Sequence, residues 1–157
     1  MMVDIVSKKK RSEMMSGIKS KDTKPEILIR KALFARGFRY RIHDKKLPGK
    51  PDLVLAKYRV VIFVHGCFWH GHDCHLFKVP QTRTEFWLKK INSNKVRDQD
   101  VIQQLLACGW RVLVVWECSI RGKYSMNIHQ LVDRIEEWML FDSRFSEISW
   151  GGGIKEQ

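Results

Sequence analysis

Residues 59–65 read Arg-Val-Val-Ile-Phe-Val-His, and residues 110–116 read Trp-Arg-Val-Leu-Val-Val-Trp. Both are continuous runs of β-branched and aromatic residues, the pattern of strands buried on two faces. The segment between them, roughly 84–108, has helical character up to Gly109, with Asn92-Ser93-Asn94 as a candidate break. Two buried strands joined through a helix should run parallel, with a right-handed crossover and both C-terminal ends on one edge of the sheet. Chemistry in such sheets gathers outside those ends.

Outward from these strands, Thr23 and Glu26 form a Thr-x-x-Glu capping box with Pro25 in the tolerant first turn. Leu28, Ile29, Ala32 and Leu33 supply an apolar helix face that Gly37 stops. Phe38, Tyr40 and Ile42 alternate with Arg39, Arg41 and His43, as in a strand with one wet face. Leu47-Pro48-Gly49-Lys50-Pro51 is a turn, and Asp52 to Ala56 should pair with 59–65 as a hairpin. Ile128, Leu131, Val132, Ile135, Trp138 and Met139 trace one face of a C-terminal helix. The order is α-β-β-β-α-β-α, an α/β chain. The divisions expected are a basic arm over 1–20, a folded domain over 21–142, and a flexible tail over 143–157 that contains Gly151-Gly152-Gly153.

The net charge is +12, and it is unevenly spread. Residues 1–50 carry 15 basic and 5 acidic groups, whereas 101–157 carry 6 and 7. That gradient suits a protein laying its N-terminal side along a polyanion. Lys8, Lys9, Lys10, Arg11, Lys19 and Lys21 are the candidate phosphate contacts, and Met14 and Met15 are candidates for a minor groove. No apolar run approaches the ~20 residues of a membrane span, and the N-terminus lacks the apolar core of a secretory signal. Sparse cysteines point to a reducing, cytoplasmic setting.

Four of the six histidines, His65, His70, His72 and His75, cluster with Cys67 and Cys74. Cys67 follows one buried strand and Cys118 the other, so parallel pairing would bring both to one edge. Cys74 and one histidine would complete a Cys3His zinc site. His72 is the first choice of fourth ligand, with His70 and His75 as alternatives. Cys108 reads as a small core residue. Asp52 opens one strand of the hairpin and His65 closes the next, so the two should lie near each other. An oxygen ligand there would hold Mg²⁺, and an imidazole beside it could act as general base or stabilise developing charge. Phe68 and Trp69, adjacent aromatics in a polar loop, and Trp87 on the next helix suit wedges between base steps, where unstacking costs least at a mispair. Trp110, Trp116 and Trp138 fall on strand or helix faces and read as core.

Pro51-Asp52, Phe63-Val64-His65-Gly66-Cys67-Phe68-Trp69-His70, Thr82-Arg83-Thr84-Glu85-Phe86-Trp87, Trp110-Arg111-Val112 and Val115-Trp116-Glu117-Cys118 together resemble the very-short-patch-repair (Vsr) DNA mismatch endonucleases, over roughly residues 8–123. The resemblance implies a PD-(D/E)xK-type, restriction-endonuclease-like core (αβββαβ) whose second motif half is replaced by Phe-x-His, with a structural zinc and a basic N-terminal arm. It implies Mg²⁺-dependent nicking of one strand 5′ to the thymine of a T:G mismatch, which starts very short patch repair of deaminated 5-methylcytosine. Asp52 and the backbone carbonyl of Val64 would then hold Mg²⁺, with His65 and His70 beside the attacked phosphate and water. Asp98 would support a catalytic histidine, and Glu26 would assist through metal-bound water. Cys67, His72, Cys74 and Cys118 would hold zinc, and Phe68, Trp69 and Trp87 would form the wedge. The implied partners are mismatched double-stranded DNA and, functionally, a cytosine-5 methyltransferase and downstream repair enzymes, in a bacterial cytoplasm at the nucleoid. A monomer without membrane contact is expected. Val64 departs from the threonine expected there, and Gly71 and Asp73 interrupt a longer histidine run. The competing readings are a zinc-stabilised, non-catalytic DNA-binding module and a restriction-type nuclease that cuts both strands.

Overall fold

The structure, a computed structural model, describes residues 23–141 and 143–152, and the backbone of 154–156. The arm candidates Lys8, Lys9, Lys10, Arg11, Met14, Met15, Lys19 and Lys21 lie outside the described residues. The elements are α1 (Lys24–Ala35), β1 (Arg41–Ile42), β2 (Leu53–Leu55), β3 (Val60–His65), α2 (Thr84–Ala107), β4 (Arg111–Trp116), α3 (Ile128–Met139), β5 (Phe145–Ile148) and β6 (Ile154–Glu156). The strands form one mixed sheet in the order β1-β2-β3-β4-β5-β6.

The two apolar runs are neighbours and parallel, in register from Val60 opposite Arg111 to His65 opposite Trp116. Leu53 pairs with Ile62 across the expected antiparallel hairpin. On one face Ile29 and Leu33 of α1 and Leu131, Ile135 and Trp138 of α3 pack on Leu53, Leu55, Ile62 and Leu113. On the other, Leu105 of α2 packs with Val61, Phe63, Val112 and Val114. Burial on both faces is why β3 and β4 show no polar alternation.

Four expectations are corrected. Helix α2 runs unbroken through Asn92-Ser93-Asn94. The Asn94 amide donates to the carbonyl of Trp69 at 2.9 Å rather than competing for its own backbone. Cys108 is exposed, because it caps the last turn of α2 one turn past the buried Leu105. The strand expected over 38–43 shortens to Arg41–Ile42. The tail is not wholly frayed: β5 lies parallel to β4, with Phe145, Ser146 and Ile148 buried. Its docking is prepared by Arg111, which donates to the carbonyls of Trp138, Met139 and Ser143 at 2.9–3.0 Å and so ties the end of α3 to the start of β4.

Ile148 is fully buried. Ile148→Ala should therefore cost about 2–5 kcal/mol of unfolding free energy in a urea titration. A cost below about 0.5 kcal/mol, the usual range for a surface position, would mean that β5 does not belong to the core.

Candidate active site

Glu26 lies in the first turn of α1 and is 1% exposed. Thr23 makes no side-chain cap bond, so the capping box suggested by the spacing does not form. Glu26 faces inward instead. Its Oε2 accepts from Arg30 Nη1 at 2.7 Å and lies 2.7 Å from His43 Nε2. His43 Nε2 is in turn 4.0 Å from Asp52 Oδ1. The Val64 N–H donates to the other Asp52 oxygen, Oδ2, at 2.7 Å. Glu26, His43 and Asp52 thus offer ligand atoms all within 4.8 Å of one another. Burial, then the neighbouring Glu26 carboxylate, pushes the Asp52 carboxyl up to about 8, against the lowering effects of the Val64 N–H and Arg30.

Sequence reasoning missed His43, which reads as one wet-face residue in an alternating strand. The strand ends at Ile42, and His43 takes a left-handed backbone (φ 50°) while its N–H donates to the Asp52 carbonyl at 3.3 Å. Its one sequence signal was its position between that strand and the Leu47–Pro51 turn.

The hairpin register brings Asp52 to Val64, and the next residue, His65, belongs to a second group. The rings of His65 and His70 stack at 3.8 Å with 3° between planes. His70 Nδ1 pairs with Asp98 Oδ2 of α2 at 2.5 Å. Burial, then the neighbouring His70 and His72, holds the His65 imidazolium well below the usual histidine range, so the ring is neutral. Its buried Nδ1 has no hydrogen-bond partner among the described residues. His65, His70, Asp98, Trp116 and Glu147 line a cleft of about 800 Å³, from which Glu26, His43 and Asp52 are absent. The two groups are joined through adjacent residues of β3, Val64 on the Asp52 carboxylate and His65 on the His70 ring.

Cys67, His72, Cys74 and Cys118 form a third group with ligand atoms within 4.8 Å of one another. His72 Nδ1 lies 3.6 Å from Cys67 Sγ and 3.5 Å from Cys118 Sγ. The Cys118 thiol is pulled down to about 4, first by its bond from Cys67 and then by His72, while Cys67 is pushed up by the same partnership. Burial pushes the Cys74 thiol up as well, so a soft cation held by this set would displace thiol protons as it bound. Of the alternatives, His70 is engaged with Asp98, and His75 lies edge-on to Tyr124. Gly71 has φ +62°, and a Cβ there would come within 2.7 Å of Ile91 and 2.9 Å of Lys95. A side chain at that position would require the Ile91 and Lys95 side chains of α2 to shift.

Phe68, Trp69 and Trp87 meet edge-on, with ring centroids 5.2–5.7 Å apart, and all three are half-buried. Trp116 is core by burial, yet it also stacks on His72 at 4.1 Å and presents an edge to His65. Trp138 is buried as expected, and Trp110 is only half-buried.

Carboxylates and imidazoles gathered at the ends of parallel strands, in a chain this basic, mark the nucleases as the class to compare. The sequence model of the DNA mismatch endonuclease Vsr family matches residues 3–76. The DNA mismatch endonuclease Vsr of Escherichia coli is 46% identical over 151 residues, covering 96% of this chain and 97% of that protein. The type II nicking enzyme V.NmeAIP of Neisseria meningitidis is 52% identical over 122 residues, 78% of this chain and 87% of that one. V.XorIIP of Xanthomonas oryzae pv. oryzae, another type II nicking enzyme, is 46% identical over 134 residues, 84% and 98%. The chain belongs to the Vsr family of DNA mismatch endonucleases.

The raised Asp52 carboxyl has a consequence for stability. Between the ordinary value of 3.8 and about 8, the folded protein holds a proton that the unfolded chain has released. Stability therefore falls as pH rises through that window. With magnesium withheld, Asp52→Asn should gain stability relative to wild type as pH rises from 5 to 8, measured by urea unfolding. An equal difference at both pH values would mean that Asp52 is not held in this way.

Proposed function

We propose that the protein nicks one strand of double-stranded DNA on the 5′ side of the thymine in a T:G mismatch, with Mg²⁺ as catalytic ion and Zn²⁺ as structural ion on a PD-(D/E)xK-type core. The observation that carries this reading is the meeting of an acidic group and a histidine–aspartate pair at adjacent residues of β3, Val64 and His65.

The donor chemistry fits both ions. Two carboxylates buried this close repel each other, which a divalent cation would offset, and Asp52 with the Val64 carbonyl would supply the oxygen ligands Mg²⁺ prefers. Glu26 would assist through water. When bound, the ion would polarise the phosphodiester and lower the pKa of the attacking water. An attacking water would form the new P–O bond as the bond to the leaving sugar oxygen breaks; His70, held by Asp98, would take the water's proton, and the leaving oxygen would gain one from solvent. His65, neutral and stacked on His70 with its Nδ1 without a partner among the described residues, would orient that water rather than take its proton. Asp98 fixes the orientation of His70 and stabilises positive charge gained by its ring. Three thiols and an imidazole make a closed tetrahedral set for zinc.

Phe68, Trp69 and Trp87 are the proposed wedge at the mispair, and the basic residues of the first twenty-one would bind phosphates, with Met14 and Met15 in the minor groove. Deaminated 5-methylcytosine is the lesion this activity addresses, so the functional partner is a cytosine-5 methyltransferase. The protein would act as a monomer in the cytoplasm. Among the described residues, no helix is long and apolar enough to cross a membrane.

A T:G duplex and its matched control, each incubated with Mg²⁺, test the reading. Nicking of the thymine strand in the mismatched duplex alone is expected. Cleavage of both strands of the control would favour the restriction-type alternative, and no cleavage the binding module. Asp52→Ala should abolish nicking and leave mismatch binding intact; loss of both would make Asp52 structural. Metal analysis should find about one zinc per chain, lost in Cys74→Ser together with thermal stability. A fully stable, zinc-free protein would overturn the zinc assignment.

A further inference from the structure

We propose that His43 is a nitrogen ligand of the catalytic cation, and that it turns the selectivity of the site toward Mn²⁺ or Co²⁺ over Mg²⁺. The inference rests on the reading that Asp52 holds that cation.

His43 Nε2 sits between both carboxylates, 2.7 Å from Glu26 Oε2 and 4.0 Å from Asp52 Oδ1. The second distance is too long for a hydrogen bond, yet it lies within the span that two ligands of one first-row ion occupy. The imidazole is held there. Its side chain is 15% exposed, its backbone is left-handed, and its N–H is bonded to the Asp52 carbonyl. If Nε2 turned from Glu26 to an ion, the Glu26 carboxylate would keep its 2.7 Å pair with Arg30. The change would leave no buried carboxylate without a cationic partner.

Oxygen ligands alone suit Mg²⁺, which keeps its waters and gains little from imidazole. A nitrogen donor raises affinity along the first-row series and so favours Mn²⁺ and Co²⁺. His43 would thus make the metal preference of this chain a property of one residue between β1 and the turn.

Mn²⁺ alone is the probe, added to the zinc-replete full chain and read by pulsed electron paramagnetic resonance for coupling to ¹⁴N. Wild type should show imidazole nitrogen on bound Mn²⁺. His43→Asn, which tolerates the left-handed backbone, should lose that coupling while still binding Mn²⁺. Titration should show its Mn²⁺ affinity down about tenfold or more and its Mg²⁺ affinity changed by less than about threefold. The histidine–aspartate group around His65 and His70 is the competing nitrogen source. Coupling that survives His43→Asn, or is absent from wild type, overturns the inference and leaves Asp52 as the metal ligand. Mn²⁺ affinity unchanged in Asp52→Ala would instead overturn the reading on which it rests.

Discussion

The parallel pairing of β3 with β4 is the constraint from which the rest of the site follows. Because His65 lies opposite Trp116, the two strands end level. Each chain then places a cysteine two residues later, Cys67 and Cys118, so level strand ends become paired thiols. The loop after Cys67 folds back at once. His72 N–H donates to the Cys67 carbonyl at 2.9 Å, and His70 N–H to Gly66 at 3.2 Å. That return lays the ring of His70 on His65 and carries Phe68 and Trp69 to Trp87. A slip of one residue between β3 and β4 would turn the side chains of one strand to the opposite faces and separate all of these groups at once.

Electrostatics at the end of β3 oppose the fold's stability. Glu26 and Asp52 share a dry space in which the Asp52 carboxyl resists ionising, and His65 is buried too deeply to accept a charge easily. Asp52 held neutral costs stability as pH rises above the ordinary carboxylate range, and His65 held neutral costs it as pH falls through the ordinary histidine range. The cysteine group would act in the other direction on the proposed reading, since three thiols and one imidazole would gain from closing on a cation. Trp116 lies where these demands meet, stacked on His72, edge-on to His65, and fixed by an Nε1 bond to Glu147 at 2.9 Å.

Whatever depended on local pattern was legible in the sequence. The apolar runs implied parallel strands, and the cysteines just past them implied one cluster, because strand ends convert sequence position directly into place. Residues whose partners come from distant elements were not legible. Glu26 has the spacing of a helix cap, but Arg30 and His43 claim its carboxylate. Phe145-Ser146-Glu147-Ile148 is too short to show a period, and it is a strand only because β4 and α3 leave an apolar edge beside it. Cys108, just before the helix-ending Gly109, reads as a small core thiol, and its seat as C-cap three residues past the buried Leu105 turns it outward instead.

On the proposed reading, recognition and cleavage share one rigid body. Phe68 and Trp69 are within two residues of His70, and the Asn94 bond to the Trp69 carbonyl and the close seat of Gly71 on α2 fix the loop between them. Opening a base step costs a few kcal/mol, least at a mispair. If wedge and histidine cannot move independently, a matched step that resists the wedge also keeps its phosphate from His70. Mismatch preference would then enter the chemical step through geometry, without a base-edge contact to enforce it.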